Sequence, residues 1–222
     1  MEVRLATASD VPAIAALIPV SARELSRGFY TEAQTEAAIR YIFGPDTRLI
    51  ADGTYFVAEE DQGVPGRAAT NGAAGAAGRP ATNGAAGTAE RPATHGAARS
   101  AEVGTADTLI FAGCGGWSRR RTLFGGDQMK SAEDPLLDPH ADAARIRAFF
   151  VHPDFARRGV GRRILEECLA AARAAGFRRV ELASTLPGIP FYRVFGFEER
   201  EALEAPMPGG DGLPVVRMER EL

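Results

Sequence analysis

RIRAFFVHPDFARRGVGRRILEECLAAARAAG, residues 145–176, is the stretch that decides the fold. Its first part, Ile146 to Val151, is a short apolar run rich in branched and aromatic residues, and it predicts a buried strand. Pro153 ends that strand, because proline cannot donate a hydrogen bond to a strand ladder. After Gly159 and Gly161, apolar residues recur at the spacing of one helical face. The stretch therefore predicts a strand, a turn and a helix, in that order.

The two glycines stand where the helix begins, and this position suggests that a ligand approaches the backbone. Glycine has no Cβ atom, so a bulky anion can reach the N–H groups of the first turn, which lack acceptors within the helix. Those N–H groups and the helix dipole favour phosphate. Nearby positive charge comes from Arg157, Arg158, Arg162 and Arg163. Tight packing beside a solvated basic face is the alternative, but the flanking strand, the helix and the arginines favour a pyrophosphate cradle.

Two segments resemble the GNAT superfamily of N-acetyltransferases. Residues 149–165, FFVHPDFARRGVGRRIL, are similar to the family's acetyl-CoA-binding motif, in which two residues separate an Arg or Gln from a following Gly-x-Gly or Gly-x-Ala. Gly159 and Gly161 match, whereas Ala156 takes the place of the Arg or Gln, so Arg157 or Arg158 is expected to replace that charge. Further along, residues 191–197, FYRVFGF, resemble the family's FYxxxGF segment. The two motifs occur in the family's order.

The resemblance implies the fold and the site residues. The expected fold is α/β (α+β), with a mixed, mostly antiparallel central sheet flanked by helices and a splayed central strand pair. Acetyl-CoA is the implied co-substrate, with its pantetheine along the opened strand edge and its pyrophosphate on the glycine turn. The implied cofactor-binding residues are Phe149, Phe150, Val151, Arg157, Arg158, Gly159, Val160, Gly161 and Arg162. Tyr192 is the implied catalytic residue, because a phenol stays protonated at neutral pH and can donate a proton to the departing thiolate. Packing with its phenylalanine neighbours is the alternative role for Tyr192.

Composition and charge exclude several classes of function. The 222 residues are 45% hydrophobic and 25% charged, which is ordinary for a globular protein. The sequence has no apolar run long enough to span a bilayer and no signal-peptide pattern at its start, and its net charge of −3 argues against a nucleic-acid partner. Cys114 and Cys168 are too few and too far apart for a disulfide framework or a CxxC metal site. A reduced, cytoplasmic setting is expected, and a homodimer is compatible with the sequence.

The remaining elements follow from local patterns. A helix capped by Ser9 or Asp10 should close or kink at Pro19. Thr31 and Gln34 have the spacing of a capping box, which predicts a second helix. The other predicted elements are strands at 3–6, 54–60, 109–117, 178–184 and 215–219, and a short helix at 191–195. The glycines near the end of the 109–117 strand should weaken or bulge it.

A low-complexity segment separates two of these strands. Residues 66–101 contain three copies of a twelve-residue unit without a large apolar residue. Such units cannot bury enough surface to offset the entropy of ordering. The sequence therefore predicts one acetyltransferase domain over 1–222, interrupted in a strand–strand hairpin by a disordered insert at about 61–106. The domain is expected to survive removal of the insert, since a longer loop adds only about 2 kcal/mol of closure entropy.

The general base and the acceptor remain open at this stage. Glu181, Asp127, His140 and a chain of waters are all candidates for the base. The polar loop from Gly125 to Asp142 borders the acceptor pocket in the resembled fold. Its acidic residues and His140 could attract an amine or simply be solvated; they are Asp127, Asp134, Asp138 and Asp142.

Three functions are compatible with the sequence. The leading hypothesis is direct acetyl transfer in a ternary complex to an amine of a small molecule or peptide. A non-catalytic acyl-CoA sensor is the alternative. A nucleotide-phosphate module is disfavoured, because neither GxxxxGK[ST] nor GxGxxG surrounds the turn.

Overall fold

The computed structural model describes residues 1–61, 109–130, 133–208 and 212–222. The strands are β1 (Glu2–Leu5), β2 (Tyr55–Asp61), β3 (Leu109–Ser118), β4 (Ala144–Val151), β5 (Arg179–Thr185), β6 (Glu198–Ala205) and β7 (Leu213–Glu221). The helices are α1 (Val11–Leu25), α2 (Glu32–Tyr41), α3 (Thr47–Ala51), α4 (Val160–Ala174) and α5 (Ile189–Val194). The strands form one sheet in the order β1-β2-β3-β4-β5-β7-β6.

The sheet is mixed and mostly antiparallel. β4 and β5 are its parallel pair, and the other neighbouring strands run antiparallel. Adjacent residues of β2 show that both faces are covered, because side chains alternate across a strand. Val57 packs with Ile14 of α1 and Leu49 of α3, whereas Ala58 packs with Ile164 of α4. These observations confirm the predicted sheet flanked by helices.

The helix predicted after the glycine turn is α4. Its buried residues are Val160, Ile164, Leu165, Cys168 and Ala172. At its C-terminus, Gly176 has φ +91°, and the N–H groups of Gly176 and Phe177 donate to the carbonyls of Arg173 and Ala172. This is a Schellman arrangement, in which glycine adopts the left-handed conformation without a Cβ penalty. The amphipathic face of α4 fixes the helix against the sheet, and with it the position of the glycine turn.

The first two helices confirm one prediction and correct another. The Thr31–Gln34 capping box is present: Gln34 N–H donates to Thr31 Oγ1, and Thr31 N–H donates to Gln34 Oε1. The expectation that α1 closes at Pro19 is wrong, since α1 continues through Pro19 to Leu25. Proline removes one helical hydrogen bond there, but buried residues on both sides of it, including Ile18 and Ser21, keep the helix packed. None of the helices in the described ranges is long and apolar enough to cross a membrane.

The hairpin around the predicted insert is formed. β2 and β3 pair antiparallel along their length, with Asp61 opposite Leu109 at the end where the chain leaves and returns. The predicted disordered insert at about 61–106 lies outside the described residues except for Asp61. Its disorder and the single interrupted domain therefore stay predictions.

Deletion of residues 66–101 should leave the fold intact. The ends to be joined, Asp61 and Leu109, are already register partners, and residues 62–65 and 102–108 suffice for the connection. The shorter loop should raise the free energy of unfolding by about 1 kcal/mol, the closure entropy of the residues removed. Urea unfolding of the deleted and full-length chains measures this difference.

Gly116→Val provides the control for the sensitivity of that measurement. A Cβ at Gly116 would lie 2.9 Å from Leu49 Cδ1, Thr54 O and Tyr55 Cδ2. Overpacking of this kind should lower the free energy of unfolding by about 1–3 kcal/mol. A deletion that destabilises the chain as much as Gly116→Val would show that residues 66–101 contribute to the folded core.

Candidate active site

The site begins where β4 and β5 separate. Their parallel ladder contains two pairs, Ala144 with Val180 and Arg145 with Glu181. Beyond them β4 continues to Val151 and β5 to Thr185 without further pairing between the two strands in the described chain. The amides of β4 that face β5 past Arg145 therefore have no strand partner. This is the splayed pair that the resemblance implied.

A bulge in β4 accompanies the separation. Cys114 pairs with Phe150 and Gly116 with Arg147, so two residues of β4, Ala148 and Phe149, oppose Gly115 alone. Ala148 has φ +57°, a left-handed conformation that costs a residue with a Cβ about 1–2 kcal/mol. A Cβ on Gly115 would lie 2.5 Å from the Phe149 ring, so the glycine makes room for that ring. The glycines predicted a weakened or bulged end of β3; the irregularity lies opposite Gly115, but the extra residue belongs to β4.

Tyr55 contacts the bulge through its hydroxyl group. Its side chain is fully buried, and its hydroxyl lies 3.2 Å from both Ala148 O and Cys114 Sγ. Burial raises the pKa of the Cys114 thiol to about 12 and also raises the pKa of Tyr55. Both groups are therefore protonated at neutral pH. A protonated thiol is a poor nucleophile, so Cys114 contributes to the site as a buried packing residue.

The open edge of β4 presents the Val151 N–H. That group donates to Ser21 Oγ of α1 over 3.2 Å, whereas the next amide, His152 N–H, donates to Ala112 O of β3. Val151 N–H thus points away from β3, towards the opening. His152 itself stabilises the turn, since its Nδ1 accepts from Asp154 N–H.

The glycine turn lies at the end of the same strand. Gly159 caps α4 with φ +87°, and Arg157 is also left-handed, with φ +62°. The first helical hydrogen bond runs from Arg163 N–H to Gly159 O, so the three preceding N–H groups have no acceptor within the helix. They belong to Val160, Gly161 and Arg162. A Cβ on Gly161 would lie 3.3 Å from the Phe191 ring, so this glycine also lets α4 approach α5.

Tyr192 of α5 faces this region. Its ring makes edge contacts with Phe149, Phe191 and Phe197, with centroid distances of 6.3, 5.0 and 5.5 Å. Burial raises the pKa of its phenol, because removal from water disfavours the charged form. The packing role and the proton-donor role are therefore compatible: the ring is held by aromatic neighbours while the hydroxyl stays protonated.

One cavity of about 910 Å³ joins these features. The predicted site residues that line it are Phe149, Phe150, Val151, Arg157, Gly159, Val160, Gly161, Arg162 and Tyr192. Arg158 does not line it; its guanidinium lies over the Phe155 ring at 4.9 Å and is 3.9 Å from Glu60. The structure thus brings together both sequence motifs and the open strand edge.

A buried charge cluster lies behind one wall of the cavity. Arg147, which lines the wall, has its Nη2 2.8 Å from Asp46 Oδ2, and its Nη1 donates to Thr122 O. Lys130 pairs with the same carboxylate, which also caps α3 by accepting from Leu49 N–H. Asp46 is fully buried. The charge of Arg147 is therefore compensated by the protein itself.

The candidate bases from the sequence lie outside the cavity. Glu181 pairs with Arg145 and, at 3.1 Å, with Arg217, where β4 and β5 are still joined. Asp127 accepts from Thr47 N–H and pairs with Lys130, and Asp134 pairs with Arg48. His140 is exposed in a turn with Asp138 and Asp142. Among the residues that the structure describes, no aspartate, glutamate or histidine lines the cavity.

Sequence reasoning missed Ser21, Tyr55 and Arg147. The signal for Ser21 is its position on the apolar face of α1, four residues after Leu17 and three after Ile18. Arg147 interrupts an apolar strand run, which equally indicates a special partner. Tyr55 carries no such signal, because tyrosine is common in strands.

Comparison with known proteins agrees with this geometry. Residues 126–199 match the family model of the acetyltransferase (GNAT) domain. The match covers about a third of the chain, which over that range is similar to a GNAT acetyltransferase domain. The matched range contains β4, the glycine turn, α4, β5 and α5, which build the part of the cavity around the glycine turn.

One sequence relative and three solved structures are similar. Over 66 residues the chain is 36% identical to an uncharacterized N-acetyltransferase of Methanocaldococcus jannaschii; the match covers 28% of this chain and 29% of that protein. A GCN5-related N-acetyltransferase from Rhodopseudomonas palustris superposes with a TM-score of 0.57 at 17% identity, covering 100% of this chain and 95% of that one. The PaiA N-acetyltransferase from Thermoplasma acidophilum, in complex with coenzyme A, gives 0.54 at 13%, covering 100% and 98%. A ribosomal-protein-alanine N-acetyltransferase from Brucella melitensis gives 0.52 at 15%, covering 100% of both chains. These structures show that the chain has the same fold as these N-acetyltransferases.

Replacement of Asp46 should test how the cavity wall is held. Asp46→Ala leaves Arg147 and Lys130 buried without their shared carboxylate and removes the cap of α3. Breaking a buried ion pair of this kind should lower the free energy of unfolding by about 3–5 kcal/mol. Urea unfolding followed by circular dichroism measures the loss.

Glu36→Ala is the matched control, because it removes the exposed partner of Arg23. Exposed pairs contribute little to stability, so this variant should unfold almost as the parent chain does. Equal losses for the two variants would contradict the role assigned to the buried cluster.

Proposed function

We propose that this chain transfers an acetyl group from acetyl-CoA to an amine by direct attack in a ternary complex. The observation that supports the proposal is one cavity in which the glycine turn of α4, the open edge of β4 and Tyr192 meet. The acceptor amine is that of a small molecule or a peptide. The relative and the similar structures named above are N-acetyltransferases, and one of them binds coenzyme A.

The described residues fit acetyl-CoA. The free N–H groups of Val160, Gly161 and Arg162, with the helix dipole and the Arg157 and Arg162 side chains, are suited to a pyrophosphate. The unpaired edge of β4 can donate to an extended pantetheine in the way that a sheet edge accepts an added strand. Bound there, acetyl-CoA supplies a thioester whose carbonyl carbon is open to an amine.

Residues of this chain can meet two of the three needs of the reaction. Negative charge that develops on the carbonyl oxygen needs a donor, and Val151 N–H, which donates to Ser21 Oγ in this structure, points into the opening. The departing thiolate needs a proton, and Tyr192 holds one because burial raises its pKa. The attacking nitrogen must be neutral, and for this the described cavity offers no carboxylate or imidazole.

The last point favours a second candidate function. A cavity without a protein base is also what a non-catalytic acyl-CoA sensor would have. Such a sensor would bind acetyl-CoA on the same glycine turn and strand edge and would not acetylate an acceptor.

Replacement of Tyr192 should separate binding from turnover. Tyr192→Phe keeps the aromatic packing and removes the proton donor, so turnover should fall by about 10²-fold or more, with little change in acetyl-CoA affinity. Release of the coenzyme A thiol, measured across a panel of amines, gives the rates, and calorimetry gives the affinity.

Tyr41→Phe is the control, since Tyr41 lies on α2 and does not line the cavity. This variant should match the parent chain in both measurements. Unchanged turnover in Tyr192→Phe would remove Tyr192 from the mechanism. If the parent chain binds acetyl-CoA but acetylates no amine of the panel, the sensor function is correct instead.

A further inference from the structure

The walls of the cavity differ between its two ends. Near the glycine turn they come from β4, α4 and α5. At the other end they come from the residues that follow α2, the segment after β3, and strands β5, β6 and β7. Many of these residues belong to one apolar cluster. We call this second end the acceptor end; it is lined by Ile42, Phe43, Phe124, Leu213 and Val215. Phe29, 50% exposed, lines the cavity from the segment between α1 and α2.

Within the described part of the chain, the charged residues that face the cavity are all positive. The lining residues that carry charge, within the described part of the chain, are Arg147, Arg157 and Arg162, and Tyr192 is the other titratable group. Arg157 and Arg162 belong to the glycine turn. Arg147 is compensated by Asp46 from behind the wall. Asp134, the other buried carboxylate near Arg147, accepts from Thr122 N–H and pairs with Arg48. Neither carboxylate lines the cavity.

An ammonium group would be poorly accommodated at the acceptor end. It would lose its hydration without gaining an anionic partner, which is costly in an apolar site. A neutral amine loses much less. At pH 7.5 an α-amino group of pKa about 7.8 is about one-third neutral, whereas an amine of pKa about 10.4 is only about 0.1% neutral.

We propose that the acceptor is a small apolar primary amine of low basicity that carries no second positive charge. This inference rests on the proposed acetyl transfer. The proton balance fits: as the C–N bond forms and the C–S bond breaks, Tyr192 gives its proton to the sulfur and regains one from the nitrogen. A neutral amine thus needs no net proton transfer to solvent, and no aspartate, glutamate or histidine is required as a base.

A comparison of acceptors tests the proposal on the full-length chain. Thiol release is measured with aniline, phenylalaninamide, a short peptide that begins with phenylalanine, and spermidine. The kcat/KM for phenylalaninamide should exceed that for spermidine by about 10²-fold or more, because unpaired buried charge is expensive. Phenylalaninamide should also be preferred to the peptide that begins with phenylalanine.

The pH dependence gives an independent readout. For phenylalaninamide, kcat/KM should rise up to the pKa of the acceptor itself and then level off, and for aniline it should be flat across the neutral range. The same inflection with both acceptors would reveal a protein base and overturn the proposal.

A negative charge placed at the acceptor end should shift the preference from phenylalaninamide towards spermidine. Phe29→Asp should raise the spermidine to phenylalaninamide ratio of kcat/KM by roughly two- to five-fold, as expected for one partly screened ion pair. Phe29→Asn, which has the same shape without the charge, should not raise it. Because Phe29 is half exposed, both variants are expected to fold, and thermal unfolding checks this.

The outcomes separate this inference from the function on which it rests. Acetyl transfer that favours spermidine, or that favours the peptide over the free amide, would overturn the acceptor class and leave acetyl transfer intact. Absence of acetyl-CoA binding and of transfer to all four acceptors would overturn the proposed function itself.

Discussion

The separation of two parallel strands after only two residue pairs is the constraint on which this site depends. β4 and β5 are joined at Arg145 and Glu181, and the ion pair between these side chains lies at the last rung. Past that rung the bulge at Ala148 changes which side chains of β4 face each side of the sheet. Phe149 and Val151 then pack with the apolar cluster that contains Ile164 of α4, and Phe150 packs with the cluster that contains Ile14 of α1. The opening between β4 and β5 therefore depends on the register of β4.

The groups that maintain this register are buried and polar. The Tyr55 hydroxyl lies against the carbonyl of the left-handed Ala148, and Asp46 compensates the guanidinium of Arg147, one residue earlier in β4. If one of these buried groups lost its partner, the fold would be destabilised by more than the pair stabilises it. They therefore favour one arrangement of β4 over shifted alternatives, which is what a site needs if its donors are to stay in place.

Local sequence patterns predicted most of the elements, because their causes lie within a few residues. The apolar face of α4, the Thr31–Gln34 capping box and the β2–β3 hairpin follow from spacing and turn chemistry. The glycine turn and Tyr192 were placed by resemblance, and the structure brings them to one cavity. Closure of α1 at Pro19 was the wrong alternative, because the packing of α1 against the sheet outweighs one lost hydrogen bond. The contacts of Val151 with Ser21 and of Arg147 with Asp46 join distant parts of the chain, so no local pattern could reveal them. For the same reason, only the structure could show that Glu181, Asp127 and His140 lie outside the cavity.

The central claim is that backbone amides at the start of α4 hold the pyrophosphate of acetyl-CoA, and a pair of alanine substitutions tests it most directly. Gly159 and Gly176 lie at opposite ends of α4 with φ +87° and +91°. Gly159→Ala and Gly176→Ala should therefore lower the free energy of unfolding by a similar amount, about 1–2 kcal/mol each. Calorimetric titration with acetyl-CoA should show a marked loss of affinity for Gly159→Ala and parental affinity for Gly176→Ala. Equal affinities in both variants, or no binding by the parent chain, would contradict the account.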